Sequence, residues 1–181
     1  LLSLIPEYSE KLLRFSVDDA SIHIAGQKKY SLGQVFFNSA CLMFVLSFIP
    51  VTIFLLGSNL LSALLFKGIK VSPVLIWVTV AGIPFIFLFR SVVKLLVFIE
   101  HIRLFNLLNF FVSIFGYLSG ICFIVFFKTG VFGILLALTL TYFIAAVIGI
   151  ISISRVIRPQ TALCPDLLKE LLIYGFKIHI P

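Results

Sequence analysis

The sequence predicts an all-α, polytopic transmembrane helix bundle, and its composition and four long apolar stretches carry that prediction. Hydrophobic residues make up 61% of the 181 residues and charged residues only 12%, whereas soluble domains carry about 25% charged residues. Each apolar stretch is close to or longer than the roughly 20 residues that a helix needs to cross the hydrocarbon of a bilayer. None of them alternates apolar with polar residues, as strands of a membrane β-barrel do. The chain is therefore predicted to lie in a membrane.

A polar segment, 4–27, precedes the apolar stretches. It is predicted to be helical, but its acidic, basic and histidine side chains prevent it from facing lipid on all sides. The predicted spans are 35–57, 72–89 continuing toward 98, 104–127 and 131–154. A last helix is predicted to start at Asp166, because Pro165 and Asp166 suit a helix N-terminus.

Proline and glycine residues predict where the spans bend or pack closely. Pro50 and Pro84 each remove an intrahelical hydrogen bond, so a kink is predicted at each, with Gly82 beside the second. The kinks are interpreted first as packing features and second as hinges for alternating access. Gly116 and Gly120 have the GxxxG spacing that lets helices approach closely, here within one protein.

The distribution of lysine and arginine predicts the orientation in the membrane. Connections 28–33, 90–103 and 155–170 hold eight cations by direct count, whereas 58–70 and 128–130 hold three. By the positive-inside rule, the first set faces the cytoplasm. The cations form no basic face, so nucleic acid is not expected as a partner.

Neither a metal centre nor an enzyme active site is predicted. Cys41, Cys122 and Cys164 are scattered without the spacing of a metal site, and they are interpreted as packing residues. Asp18 and Asp19 are adjacent and would point about 100° apart on a helix, so they do not form a catalytic pair. No cofactor is expected.

The polar segment supplies the first part of a candidate site, which consists of Arg14, Asp18, Asp19 and His23. Helical spacing can put Arg14 near Asp18, one turn apart, and Asp19 near His23 in the same way. One interpretation is local neutralisation of a partly wet helix. The other is the lining of a transport cavity, in which Arg14 meets a substrate phosphate and an aspartate carries coupling.

Arg90 and Lys94 form the second part of the candidate site. They lie four residues apart at the predicted cytoplasmic end of a span. As surface anchors, they would bury their stems and keep their charges in water. As phosphate contacts, they would suit a lipid diphosphate, because the arginine fork matches phosphate oxygens and lysine adds a point charge.

Three stretches occur in an order typical of one membrane protein family. Residues 15–34, FSVDDASIHIAGQKKYSLGQ, are a polar helix followed by a short basic loop. Residues 89–109, FRSVVKLLVFIEHIRLFNLLN, are a helix end with basic residues and an NLLN entry to the next helix. Residues 128–150 are followed by a linker and by LLKELLIYGFKIHIP at 167–181. In this order the stretches resemble the polysaccharide biosynthesis, or oligosaccharide-lipid flippase, family of the multidrug/oligosaccharidyl-lipid/polysaccharide exporter superfamily.

The resemblance implies a MATE-like transporter with two lobes around a cavity that opens alternately to each side. This chain would be a fragment, with an N-terminal transmembrane bundle at 1–154 whose helices resemble the family's second to sixth. A cytoplasmic inter-lobe linker would follow at 155–165 and the start of the second lobe at 166–181. The implied location is the inner, cytoplasmic membrane, which the chain crosses several times.

The function implied by the resemblance is not enzymatic. It is the flipping of an isoprenoid-diphosphate-linked oligosaccharide across the cytoplasmic membrane for surface polysaccharide assembly. The implied partners are the lipid-linked oligosaccharide and membrane lipid, with a coupling ion as a further candidate. The six residues of the candidate site would line the cavity.

Two other functions stay open at this point. One is a cation-coupled multidrug or small-molecule exporter of the same superfamily, and the other is a membrane-embedded polysaccharide polymerase or transferase. Basic residues in a polar cavity favour an anionic lipid diphosphate, whereas carboxylates with few cations would favour a drug cation. A polymerase would be expected to add a sizeable external loop with catalytic groups, which this sequence lacks.

Overall fold

The computed structural model of this chain describes residues 5–6, 9, 16–57, 72–158 and 160–179. Within these ranges the regular structure is helical, without a strand. The helices are α1 Val17–Gly26, α2 Leu32–Leu56, α3 Pro73–Ala81, α4 Ile83–Phe98, α5 Ile102–Val125, α6 Gly130–Val156 and α7 Pro165–His179. The all-α bundle predicted from the sequence is confirmed.

The predicted spans are present in the described part of the chain. Stretches long and apolar enough to cross a membrane are Leu32–Leu56, Pro73–Phe98, Ile102–Val125 and Gly130–Val156. Many large apolar side chains point away from the bundle; Leu56 is 85% exposed and Phe126 75%. Soluble monomers rarely expose apolar patches on this scale. The chain is therefore a multi-pass membrane protein whose outer surface lipid can cover.

The second span is broken into α3 and α4 at Gly82, as the sequence predicts. Pro84 occupies the first turn of α4, where a missing backbone N–H costs little. The Thr139 hydroxyl of α6 donates to the carbonyl oxygen of Val78 at 3.3 Å, which satisfies a backbone group near the break. Pro50, in contrast, lies inside α2, which continues as helix on both sides of it.

The polar helix is not continuous over 4–27. Ser16 has a left-handed backbone, with φ 46°, which an α-helix does not accommodate, and α1 begins at Val17. Asp18 and Asp19 stand in the first turn, where the helix dipole favours carboxylates. A serine followed by acidic residues is itself a helix-start signal, so the prediction of one unbroken helix is wrong at this point.

The helices bury two apolar clusters. The first joins α1, α2, α7 and the broken span, with Val17, Met43, Phe87 and Leu167 fully buried. The second joins the N-terminal part of α2 to α4, α5 and α6. Through the first cluster α7 packs against α1 and α2. The division of the chain into two lobes stays a prediction.

Helices α5 and α6 pack closely at the predicted GxxxG positions. A Cβ atom added to Gly116 would lie 3.4 Å from Leu138 Cδ2, and one added to Gly120 would lie 3.9 Å from Ile134 Cγ2. Both glycines are buried. The predicted close approach within one protein is therefore confirmed.

The connection between α6 and α7 runs against the start of α2. A Cβ atom on Gly33 would lie 2.2 Å from the carbonyl oxygen of Arg158, so only glycine fits there without a shift. The Ser31 hydroxyl donates to Gln160 Oε1 at 3.0 Å. Two connections that the cation count assigns to the cytoplasm thus meet at one end of the bundle. Their sidedness stays a prediction, and connection 58–70 lies outside the described residues.

Candidate functional site

Charged side chains meet where α1 packs against α4. The Lys94 ammonium donates to Asp19 Oδ1 at 2.7 Å, and the two side chains are 41% and 35% exposed. Lys94 stands about one turn before the end of α4, and Asp19 about two turns before the end of α1. The ion pair therefore joins two helices inside the bundle rather than two connecting loops.

Arg90 extends this charged region deeper into the second span. It precedes Lys94 by one helical turn, so both side chains project from the same side of α4. Arg90 is half-buried and lies about two turns before the end of α4, within a strongly apolar span. An arginine at that depth carries a permanent charge and a planar fork of donors that matches phosphate oxygens.

Asp18 lies beside this region and is fully buried, whereas its neighbour Asp19 is half-buried. A carboxylate inside a membrane bundle is tolerated when other groups offset its desolvation or when it takes up a proton. Asp18 and Asp19 lie on adjacent positions of α1 and point in different directions. Arg14, the residue of the candidate site that precedes α1 in the sequence, lies outside the described residues.

His23 has different neighbours from those of Asp19. Its ring stacks on that of Tyr174 in α7, with centroids 4.2 Å apart and planes 9° apart. Its Nε2 also lies 2.9 Å from Nε2 of Gln27, one turn further along α1. His23 is exposed. The structure thus places Asp19 and Lys94 at the α1–α4 contact and His23 at the α1–α7 contact.

A second ionic contact, which sequence reasoning missed, joins the α1–α2 connection to α7. The Lys29 ammonium and the Tyr30 hydroxyl both donate to Glu170 Oε1, the hydroxyl at 3.2 Å. The hydrogen bond to Glu170 raises the pKa of Lys29, and the hydrogen bond from Lys29 lowers the pKa of Glu170. The partners are 141 positions apart in the chain, so no local pattern signals the contact.

Asn38 is a third feature that the sequence analysis missed. Its amide nitrogen donates to the carbonyl oxygens of Gln34 at 2.9 Å and Ala162 at 3.1 Å. Its amide oxygen accepts from the backbone N–H of Cys164 at 2.9 Å. The side chain is fully buried. A lone amide in an apolar run is the signal that could have found it, because such a group must bond within the protein.

The described residues contain no group of three or more histidine, cysteine, aspartate or glutamate side chains placed to hold a metal ion. Cys41 and Cys164 are half-buried, while Cys122 is exposed on the outer side of α5. Comparisons with known protein families, curated proteins and solved structures found no significant match to this chain. Four apolar helices in the described part of the chain are long enough to cross a membrane, which makes it a multi-pass membrane protein.

Proposed function

We propose that this chain belongs to a transporter that flips an isoprenoid-diphosphate-linked oligosaccharide across the cytoplasmic membrane. The observation that carries the proposal is the Asp19–Lys94 ion pair, with Arg90 one turn deeper in the same span. Ionisable side chains inside membrane bundles commonly mark the paths of substrates and ions. The resemblance of the sequence to oligosaccharide-lipid flippases supplies the substrate class.

The charges suit a phosphate-bearing substrate in a specific way. Lys94 is held by Asp19 at the half-exposed end of the site, and its ammonium has two further donors besides the one that Asp19 occupies. Arg90 carries a planar guanidinium whose geometry matches phosphate oxygens. A lipid diphosphate that approaches from the predicted cytoplasmic leaflet would meet Lys94 first and Arg90 next.

A cation-coupled exporter of small molecules is the second candidate, and the burial of Asp18 favours it. A buried carboxylate can bind a proton or a cation and release it when the site opens to water. The two candidates differ in their cargo. The flippase requires an anionic lipid, whereas the exporter requires a soluble or cationic compound.

The discriminating experiment is disruption of the gene in its own host. Under the flippase proposal, isoprenoid-diphosphate oligosaccharide accumulates on the cytoplasmic leaflet and surface polysaccharide falls. Under the exporter proposal, lipid-linked sugar stays normal and susceptibility to toxic cations rises. Normal lipid-linked sugar and normal surface polysaccharide would refute the flippase.

A further inference from the structure

The outward side of α5 carries a line of polar side chains. Asn106, Ser113 and Tyr117 recur at a helical spacing, so they lie on one side of the helix, and Phe110 stands between the first two. All four side chains are exposed, that of Tyr117 to 76%. This side is called here the polar stripe of α5.

The polar stripe lies at the depth of the membrane hydrocarbon, which is about 30 Å thick. Helix α5 runs from Ile102 to Val125 and is about 36 Å long. Ser113 stands near its middle, and Tyr117 stands about 12 Å before its end. Tyr117 is therefore too deep for the belt of aromatic side chains at the membrane surface.

Other polar side chains of α5 form hydrogen bonds within the helix itself. Asn109 donates to the carbonyl oxygen of Phe105 at 2.9 Å, and Ser119 donates to that of Phe115 at 2.5 Å. The side chains of the polar stripe, in contrast, have no hydrogen-bond partner within the described ranges of the chain. Polar groups at this depth normally face protein or a water-filled cavity, because hydrocarbon offers them no partner.

The size of these side chains favours water over a second helix. Closely packed membrane helices meet at small residues, and α5 uses such residues where it packs on α6, at the buried Gly116 and Gly120. Asn106, Phe110 and Tyr117 are bulky, so they would keep the backbone of another helix at a distance.

We propose that the polar stripe of α5 lines a water-filled path through the membrane and contacts a hydroxyl-rich part of the cargo. The amide of Asn106 and the hydroxyls of Ser113 and Tyr117 are uncharged, and together they donate and accept hydrogen bonds. The rings of Phe110 and Tyr117 add flat apolar faces. A saccharide matches this lining through its hydroxyls and its C–H faces, whereas an ion finds no opposite charge there. The contact with cargo rests on the transport proposal, and the water-filled path does not.

Labelling of single cysteines tests the water-filled path in the full-length protein, in membranes of the cells that produce it. The native cysteines are replaced by alanine, and one cysteine is then placed in the polar stripe, by Asn106→Cys, Ser113→Cys or Tyr117→Cys. The matched controls are exposed apolar positions one residue further along, namely Leu107→Cys, Ile114→Cys and Leu118→Cys. Each control has nearly the same depth as its partner and points about 100° away from it.

The reagent is a water-soluble thiosulfonate, which reacts with the thiolate. Because a thiolate forms only where water reaches it, we expect labelling of the polar stripe to be at least about ten-fold faster than labelling of the controls. Ser113→Cys and Ile114→Cys are the decisive pair, since both lie near the middle of α5 and the serine change exchanges a single atom. Equal rates for this pair, or labelling of neither position, would overturn the water-filled path.

Surface polysaccharide tests the contact with the cargo. The combined changes Asn106→Leu, Ser113→Ala and Tyr117→Phe remove the hydrogen-bonding groups, and we expect export to fall about ten-fold at matched membrane abundance. The control, Ile114→Ala with Leu118→Ala, should export normally. Normal export by the triple variant would overturn the contact with the cargo. If disruption of the whole gene leaves surface polysaccharide unchanged, the transport proposal fails instead, and the labelling result still decides the water-filled path.

Discussion

Asp19 Oδ1 lies 2.7 Å from Lys94 Nζ, across the contact between α1 and α4. The pair links α1 to the part of α4 that holds Arg90 and Lys94. Half-exposed ion pairs in water contribute little to stability, usually 0 to about 1 kcal/mol. Under the transport proposal, the pair holds Lys94 in place for a substrate.

A double-mutant cycle measures the coupling between these two residues. We expect Asp19→Asn and Lys94→Gln each to lower the free energy of unfolding, and the double variant to lose about 1 kcal/mol less than the sum, because the second change removes an interaction already broken. The measurement is unfolding in mixed detergent, followed by circular dichroism. Asp19→Asn combined with Lys128→Gln, in the α5–α6 connection, is the additive control. If the two single variants lower the free energy of unfolding by amounts that add up in the double variant, the ion pair contributes nothing to stability.

Replacing Asn38 should loosen the connection between α6 and α7. Asn38→Leu removes the partners of the Ala162 carbonyl and the Cys164 N–H, and each lost hydrogen bond costs about 0.5 to 1.5 kcal/mol. The readout is the rate of thiol labelling at Cys164 in a Cys41→Ala/Cys122→Ala background, and we expect the rate to rise.

The control for this experiment is Asn109→Leu. Asn109 donates to the Phe105 carbonyl within its own helix at 2.9 Å, so its loss should leave labelling of Cys164 unchanged. An unchanged rate in Asn38→Leu would contradict the role assigned to that amide. A rise in both variants would indicate a general loss of stability instead.

Two buried glycines should respond differently to a methyl group. A Cβ at Gly149 would lie 2.3 Å from Val92 Cγ1, a short side chain with little freedom to move, whereas a Cβ at Gly120 meets Ile134 at an ordinary 3.9 Å. We expect Gly149→Ala to destabilise the bundle by about 1 to 3 kcal/mol. Gly120→Ala should be neutral or stabilise by up to about 1 kcal/mol, through helix propensity. Detergent unfolding compares the two, and equal effects would contradict the close packing of α4 on α6.

The Lys29–Glu170 contact predicts a defined pH dependence. Because the pKa of Glu170 is lowered, the contribution of Glu170 to the free energy of unfolding is present above the ordinary glutamate pKa range. That contribution is lost as pH falls through the lowered pKa. Because the pKa of Lys29 is raised, the contribution of Lys29 to the free energy of unfolding is present below the ordinary lysine pKa range. That contribution is lost as pH rises through the raised pKa. The pair therefore contributes between about pH 5 and pH 10.

The measurement is the difference in thermal midpoint between the native chain and Glu170→Gln. We expect a small constant difference across the neutral range, since both side chains are substantially exposed, and its disappearance as pH falls through the lowered pKa of Glu170. Glu100→Gln, in the turn between α4 and α5, is the control and should show no matching profile. A difference that persists in acid would mean that the carboxylate charge is not responsible.

The spans could be predicted from the sequence because hydrophobic length is a local property. The break in the second span at Gly82 could also be predicted, because Pro84 removes a hydrogen bond within its own helix. The start of α1 at Val17 was missed, although Ser16 and the acidic residues that follow it are a helix-start signal. Contacts between residues far apart in the sequence could not be predicted from local patterns. Lys94 and Asp19 are 75 positions apart, and only the packing of α1 on α4 brings them together.

The positions of the lysine and arginine residues predict which connections lie together but not which residues pair. Their count predicts that the α1–α2 connection and the α6–α7 connection lie on one side, and these two connections do meet, at Ser31 and Gln160. The count does not predict that Glu170 would pair with Lys29, because a tally of charge says nothing about partners.

The most direct measurement of the central claim is surface polysaccharide in cells that produce the protein with Arg90→Ala or Arg90→Lys, at matched membrane abundance. The account predicts that alanine abolishes export and that lysine restores only part of it, because a phosphate contact uses the guanidinium fork as well as its charge. A surface anchor needs only a long stem and a positive end. Full export by Arg90→Ala, or equal export by Arg90→Lys and the native protein, would contradict the account.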